Sequence, residues 1–395
     1  MPLKSTLLLS FLLVNFSFSM AQNTPNYDES KVPDLTLPDP FVSLRGQLIN
    51  SQEDWEKIRR PEIINLFREH VYGNIRTDFD TISFNEVQEN PNPYPGKAIL
   101  KEIDISVSKN GKSHTMRLNV FLPPGDGPFP IILLINHRAY VKEEGLVEEG
   151  YWPVEQLVEQ GYATASFHAE TVAPDDKQRF REGILTTLYP EELTKKEGMR
   201  TFGAWAWAAM RAMDYFAQDN LYNTDKSALV GHSRSGKATL WTAANDTRWS
   251  IAYANESGCG GAALSKRKYG ETVSVINTNF PHWFAENFRS YNDQEESLPL
   301  DQHMLATLIA PRAIYFTSAR GDQWADPKGE YLSLQLGSRV YKDIYKKNVS
   351  LPLAFEELDS PVHQPFAGYH IRAGKHGLTW EDWAHFIDFA EIQWK

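Results

Sequence analysis

Apolar and polar positions change their spacing several times along the chain, and each change predicts an element. The segments "KAILKEIDISVS" and "HTMRLNVFLP" alternate, the pattern of half-buried antiparallel strands, whereas "FPIILLIN" is a continuous apolar run suited to an inner strand covered on both faces. From there strands and helices take turns. A helix over Val154 to Gln160 leads to the strand "GYATASFH", and the apolar helix "FGAWAWAAMRAMDYFAQ" leads to the strand "SALVGH". "WSIAYAN" and "PRAIYFTSA" are further strands, each preceded by a helix, and "GYHIRAG" with "WEDWAHFIDFA" supplies the last strand and the last helix. Upstream, Ile63, Ile64, Phe67 and Val71 recur at helical spacing and predict one or two helices. Antiparallel strands feeding alternating units predict a doubly wound α/β domain over residues 51–395, layered as helices, sheet and helices. Residues 22–50 are polar and proline-rich and read as an extended lead-in.

Composition narrows the function. With 395 residues, 12% aromatic and 23% charged, the chain is ordinary for a globular enzyme. A net charge of −11 argues against binding nucleic acid or an anionic membrane. The start, "MPLKSTLLLSFLLVNFSFSMAQ", has Lys4, an apolar stretch and small residues at Ser19 and Ala21, which predicts a secretory signal over residues 1–21. Only one cysteine is present, Cys259, so an exported chain forms no internal disulfide; bacterial export, periplasmic or secreted, fits this best. "GCGGAA" around Cys259 reads as a packed turn rather than a nucleophile site.

The chemistry centres on "LVGHSRSGK", Leu229 to Lys237. A serine at so sharp a strand-to-helix turn is either a helix cap or an exposed nucleophile. The elbow pattern is G-x-S-x-G, and here Ser235 holds its fifth place, with Gly236 one later. A serine hydroxyl needs a base to remove its proton, and elbow enzymes carry their residues in the order Ser, acid, His. His376, in "GKHGLT" between the last strand and the last helix, answers that requirement; His370 and His385 read as packing residues. Two acids on turns after strands compete to orient it, Glu256 and Asp322.

Six segments in order, "GHSRSGK", "ESGCGGAALS", "GETV", "NFPHWF", "IAPRAIYFTSARGDQWADPKGE" and "YHIRAGKHGLT", resemble the glucuronoyl esterases, carbohydrate esterase family fifteen, in their bacterial form. The resemblance runs from about Ser51 to the C-terminus. It implies an α/β-hydrolase three-layer sandwich with a mainly parallel sheet and antiparallel N-terminal strands. It also implies hydrolysis of esters joining 4-O-methyl-glucuronate of xylan to lignin alcohols, without metal or organic cofactor. Carried across, Ser233 is the nucleophile and His376 the base. Glu256 matches the acid of fungal members and Asp322 that of bacterial members lacking the glutamate, so the choice between them stays open. The backbone N–H and guanidinium of Arg234 are expected to meet the oxyanion. Lys237, Glu271 and Trp324 are expected to line the sugar site. The expected partner is a uronate ester carbohydrate, met by a monomer that leaves the membrane once the signal is cut. A general carbohydrate acetyl esterase or other acyl hydrolase on the same fold is the rival activity.

Overall fold

The computed structural model describes residues 24–89, 92–138 and 150–395, and in them ten strands form one sheet. In chain order the strands are β1 (Thr81–Val87), β2 (Ile99–Lys109), β3 (Lys112–Leu122), β4 (Phe129–Asn136), β5 (Ala163–His168), β6 (Tyr222–His232), β7 (Ile251–Asn255), β8 (Ala313–Ala319), β9 (Val362–Gln364) and β10 (Ala367–Arg372). They lie in the order β1-β2-β3-β5-β4-β6-β7-β8-β10-β9. β5, β4, β6, β7, β8 and β10 run parallel, while β1 to β3 and the edge strand β9 pair antiparallel. This is the mainly parallel sheet with antiparallel N-terminal strands that the sequence predicts.

The layering follows from side-chain parity, because alternate residues of a strand face opposite sides of the sheet. In β4, Ile131, Leu133 and Ile135 enter one core cluster while Ile132 and Leu134 enter another. Both sides are fully buried, which is why the run is apolar throughout. On the first side pack α1 (Thr201–Phe216), α2 (Arg234–Asn245) and α3 (Pro327–Asp343), through Trp205, Trp241 and Leu334 among others. On the second side packs α4 (Trp380–Gln393), through Trp383, Phe386 and Phe389, together with the short helix Val154–Glu159. A fully buried side chain of this kind contributes about 1.5–3 kcal/mol relative to leaving it in water. Three layers therefore share two cores.

The predicted upstream helices run as one helical segment from Gln52 to Tyr72, with π-helical turns at Trp55–Arg59 and Arg68–Tyr72. It stops at Gly73, where φ is +79° and a Cβ would lie 2.4 Å from the Gly198 carbonyl oxygen. The lead-in is tied down rather than trailing. Asn26 O accepts from Gly270 N–H at 2.9 Å, Pro38 O lies 2.9 Å from His303 Nε2, and Pro40 O accepts from Arg59 Nε at 3.1 Å. The expected secretory signal lies outside the described residues. Among the described residues no helix is long and apolar enough to cross a membrane.

One consequence of the strand order positions the site. From β4 the chain crosses to β5 on one side, and from β6 it crosses to β7 on the other. The crevice beyond the carboxyl ends of β4 and β6 is thus a topological switch point, where open α/β sheets bind their ligands. His137 follows β4 there, and Ser233 follows β6.

Candidate active site

Ser233 is the single residue between β6 and α2, and its backbone is held at φ 55°, ψ −123°. A non-glycine residue in such a conformation costs roughly 1–3 kcal/mol and persists only where its surroundings enforce it. They do so here. Ser233 N–H donates to Asn255 O at 2.8 Å, anchoring the turn to β7. Ser235, the departure from the elbow pattern, closes the turn: its Oγ accepts from His232 N–H at 3.0 Å and donates to His232 O at 2.9 Å. The required glycines are Gly231, whose Cβ would lie 2.3 Å from Ser235 O, and Gly236, whose Cβ would lie 2.9 Å from Ser257 Cβ. The Ser233 side chain makes no capping hydrogen bond to α2. The hydroxyl is therefore not spent on a cap in this geometry, which fits the nucleophile reading better.

His376 stands on the loop between β10 and α4, beside both acids. Its Nδ1 is 2.6 Å from Asp322 Oδ2 and 3.0 Å from Glu256 Oε2. In the neutral ring, with Nδ1–H donating to carboxylate, Nε2 is the nitrogen able to act as base. The side chain is 42% exposed, so the ring is open to an incoming molecule while the carboxylates beneath it are buried. Burial works against a charged ring, yet its hydrogen bonds to the Asp322 and Glu256 carboxylates outweigh it and raise its pKa to about 9. Burial raises Glu256 to about 7 against the pull of His376 and Arg372. Among the described residues no hydrogen bond joins Ser233 Oγ to His376; such contacts often tighten only when substrate is present. The residue before the serine, His232, packs against His376. Its ring centre is 4.6 Å from that of His376, and its Nδ1 donates to Asn255 Oδ1 at 2.5 Å. Burial holds His232 neutral, its pKa well below the usual value.

Arg234 follows the serine. As the first residue of α2 its backbone N–H has no intrahelical acceptor and is available to an oxyanion. Its guanidinium pairs with Asp175 and lies 5.0 Å over the Trp283 ring and 5.6 Å over Phe280. Asp175 also lies 3.0 Å from His282 Nε2 and accepts from Trp283 Nε1 at 2.5 Å. Burial would raise the Asp175 pKa, but the donors of His282, Arg234 and Trp283 win and keep it well below the carboxylate range. Asp175 and Trp283 therefore aim Arg234. "NFPHWF" signals the aromatic part of this arrangement in the sequence; Asp175, in an ordinary polar loop, gives no local sign.

The residues expected on the sugar side divide. Lys237 is buried, and its ammonium donates to Ser257 O with the Trp283 ring 5.9 Å away. Burial lowers its pKa and Glu271 works against that. Glu271 is joined to Trp324 through the backbone, its N–H donating to Trp324 O at 2.9 Å. Burial raises Glu271, with Lys237 and Trp324 pulling it down. Trp324 is 38% exposed, an aromatic face offered to solvent at the rim. Cys259 is buried, consistent with a packed turn. The trio Glu256, Asp322 and His376 also brings three ligand atoms within 4.8 Å. Both Glu256 oxygens are already committed, to Arg372 Nη2 at 2.6 Å and Gly377 N–H at 3.0 Å, which suits a clamp on a histidine loop.

Comparison with known proteins places this geometry among relatives. The family description "Glucuronyl esterase, fungi" matches residues 105–344. The carbohydrate esterase MZ0003 of an unknown prokaryotic organism is 36% identical over 398 aligned residues, covering 93% of this chain and 91% of that protein. The 4-O-methyl-glucuronoyl methylesterase of Schizophyllum commune is 26% identical, covering 87% of this chain and 82% of the relative. Among solved structures, the glucuronoyl esterase from Solibacter usitatus superposes with a TM-score of 0.81 at 33% identity, covering 93% of this chain and 100% of the other.

Proposed function

The chain belongs to the glucuronyl esterase family, and from that premise we propose that it hydrolyses esters of glucuronic acid through a serine nucleophile. The observation that carries the reading is the Ser233 turn, strained in its backbone and not spent on capping, with a histidine held between two carboxylates packed 4.6 Å, ring centre to ring centre, from the residue before the serine.

In the proposed reaction Ser233 Oγ attacks the uronoyl carbonyl carbon while His376 Nε2 takes the hydroxyl proton. The oxyanion so formed meets the backbone N–H and guanidinium of Arg234. Collapse breaks the bond to the alcohol oxygen, which receives the proton from His376, and leaves the uronoyl group on Ser233. Water then repeats the attack with the same base and releases the free acid. Asp322, nearer to His376 Nδ1 than Glu256, is the orienting acid; Glu256 anchors the loop. Lys237, Glu271 and Trp324 form the sugar side, with Trp324 the exposed face. The natural substrate is a 4-O-methyl-glucuronate ester of xylan with lignin alcohols, and the apolar N-terminal start supports export from a bacterial cell.

The test is turnover of benzyl glucuronate by the wild type and by Ser233→Ala, with acetylated xylan as the competing substrate. Wild-type hydrolysis of the glucuronate ester that disappears in Ser233→Ala supports the scheme. Turnover surviving the substitution removes the serine, and preference for acetate overturns the substrate.

A further inference from the structure

Behind the two carboxylates lies a chain of buried polar groups that the scheme above does not use. Arg372 is the last residue of β10, on the same sheet face as His370 two positions earlier, the face covered by α4. Arg372 is 5% exposed, and Glu256, Asp382 and His370 are buried at least as completely. Its Nε donates to both Asp382 oxygens, at 3.0 and 2.8 Å, and its Nη1 to Ala373 O at 3.0 Å. Its Nη2 donates to Glu256 Oε1 at 2.6 Å and to Gly377 O at 2.6 Å. One planar group thus holds the first turn of α4, the acid after β7, and both ends of the loop that carries His376. Asp382 is itself fixed. It accepts from Thr379 N–H at 2.8 Å in the capping box of α4, and its Oδ1 lies 3.0 Å from His370 Nε2.

A buried carboxylate that loses its cation partner is left uncompensated, and the cheaper response is to take up a proton. A lysine in place of Arg372 keeps the charge but lacks the fork that reaches two carboxylates and two carbonyls together. The charged and titratable groups that act electrostatically on Glu256 include Arg372, His376, Asp382, Glu330 and Tyr253; those that act on His376 include Asp322, Glu256, His232, His137 and Glu271.

We infer that Arg372 is a positioning residue for ester hydrolysis: its guanidinium locks Glu256, Asp382 and the 373–377 loop into one unit, so that His376 meets the elbow serine in a fixed orientation. The inference rests on the proposed roles of Ser233 and His376. It differs from a purely structural role in what it touches. A structural clamp lowers stability in proportion to lost contacts, whereas this one acts on the base through Glu256.

The experiment is a double-mutant cycle on benzyl glucuronate. Arg372→Lys is made in the wild type and in Glu256→Gln, with kcat, KM, the pH profile and thermal melting measured for each. Arg372→Lys alone is expected to lower kcat by about ten- to a hundredfold, the scale of a small misplacement of a catalytic group, with KM unchanged. The acid limb of its profile moves to lower pH, because Glu256 gives up charge and His376 loses one of its two anions. In the Glu256→Gln background the further loss is smaller. Equal losses in both backgrounds with an unmoved profile, or a lowered melting point with normal kcat, overturn the proposal. Should Arg372→Lys fail to fold, Asp382→Asn frees one side of the same guanidinium; lowered kcat at constant KM supports the inference and normal kcat overturns it. Ser233→Ala retaining turnover would instead remove the reading underneath.

Discussion

His376 Nδ1 sits 2.6 Å from Asp322 Oδ2, closer than the 3.0 Å to Glu256 Oε2, although both acids flank the same nitrogen. On the proposed scheme this unequal sharing gives the orienting role to Asp322 and the loop anchor to Glu256, two residues that the sequence presents as equivalent candidates. Glu256 spends its other contacts on Arg372 and on Gly377 N–H. For Asp322→Asn the expected result is a fall in kcat of roughly three to four orders of magnitude at constant KM, since an amide favours the wrong imidazole tautomer. Glu256→Gln should cost less. Steady-state kinetics on benzyl glucuronate compares them, and the reverse ranking would exchange their assignments.

The base must be neutral to accept a proton. With its pKa raised to about 9, His376 is mostly protonated at neutral pH, so kcat/KM should climb with rising pH and level off only above that value. Removing one anion lowers the pKa, so the rising limb of Glu256→Gln should lie at lower pH than that of the wild type. Rates measured from pH 5 to about 10 decide this, and a flat profile through neutrality would contradict it.

Arg234 is aimed by Asp175 and rests over Trp283. Loss of an oxyanion donor typically costs about a hundred- to a thousandfold in kcat. Arg234→Ala should show that scale of loss with KM little altered. Asp175→Asn should show a smaller one, because the guanidinium remains but is no longer fixed. If Arg234→Ala affects only KM, its place is with the substrate and not the oxyanion.

Gly231→Ala tests the turn itself. The new methyl would stand 2.3 Å from the Ser235 carbonyl oxygen in a region with no slack. A cost of about 1–3 kcal/mol or more is expected, read as a lower melting temperature together with lost activity. A normal melting temperature would show that the turn gives way.

Much of this was legible from spacing alone, and the exceptions have physical causes. β4 announces itself because both of its faces are buried, and α1 because its Trp and Ala positions fill a core. β1 and β9 escape because they are edge strands whose residues stay partly exposed or number only three. α3 carried a start signal in Asp326–Pro327, with the Asp326 side chain accepting from Gly329 N–H, but its apolar residues are diluted by charge. At the site, Ser233 and His376 stand out because glycines surround them. Asp175 and Arg372 do not, since their meaning arises only from partners brought in from distant strands.

The loops that carry Asp322 and His376 leave neighbouring parallel strands, and their backbones are stitched together beyond the sheet: Arg320 N–H donates to Arg372 O and Gly321 N–H to Gly374 O, each at 2.9 Å. The spacing between carboxylate and imidazole is therefore set by a ladder and not by the path that connects them. Insertions or deletions in the long excursion from α3 to β9 can accumulate without altering that spacing, which leaves this surface free to diversify while the reaction centre stays as it is.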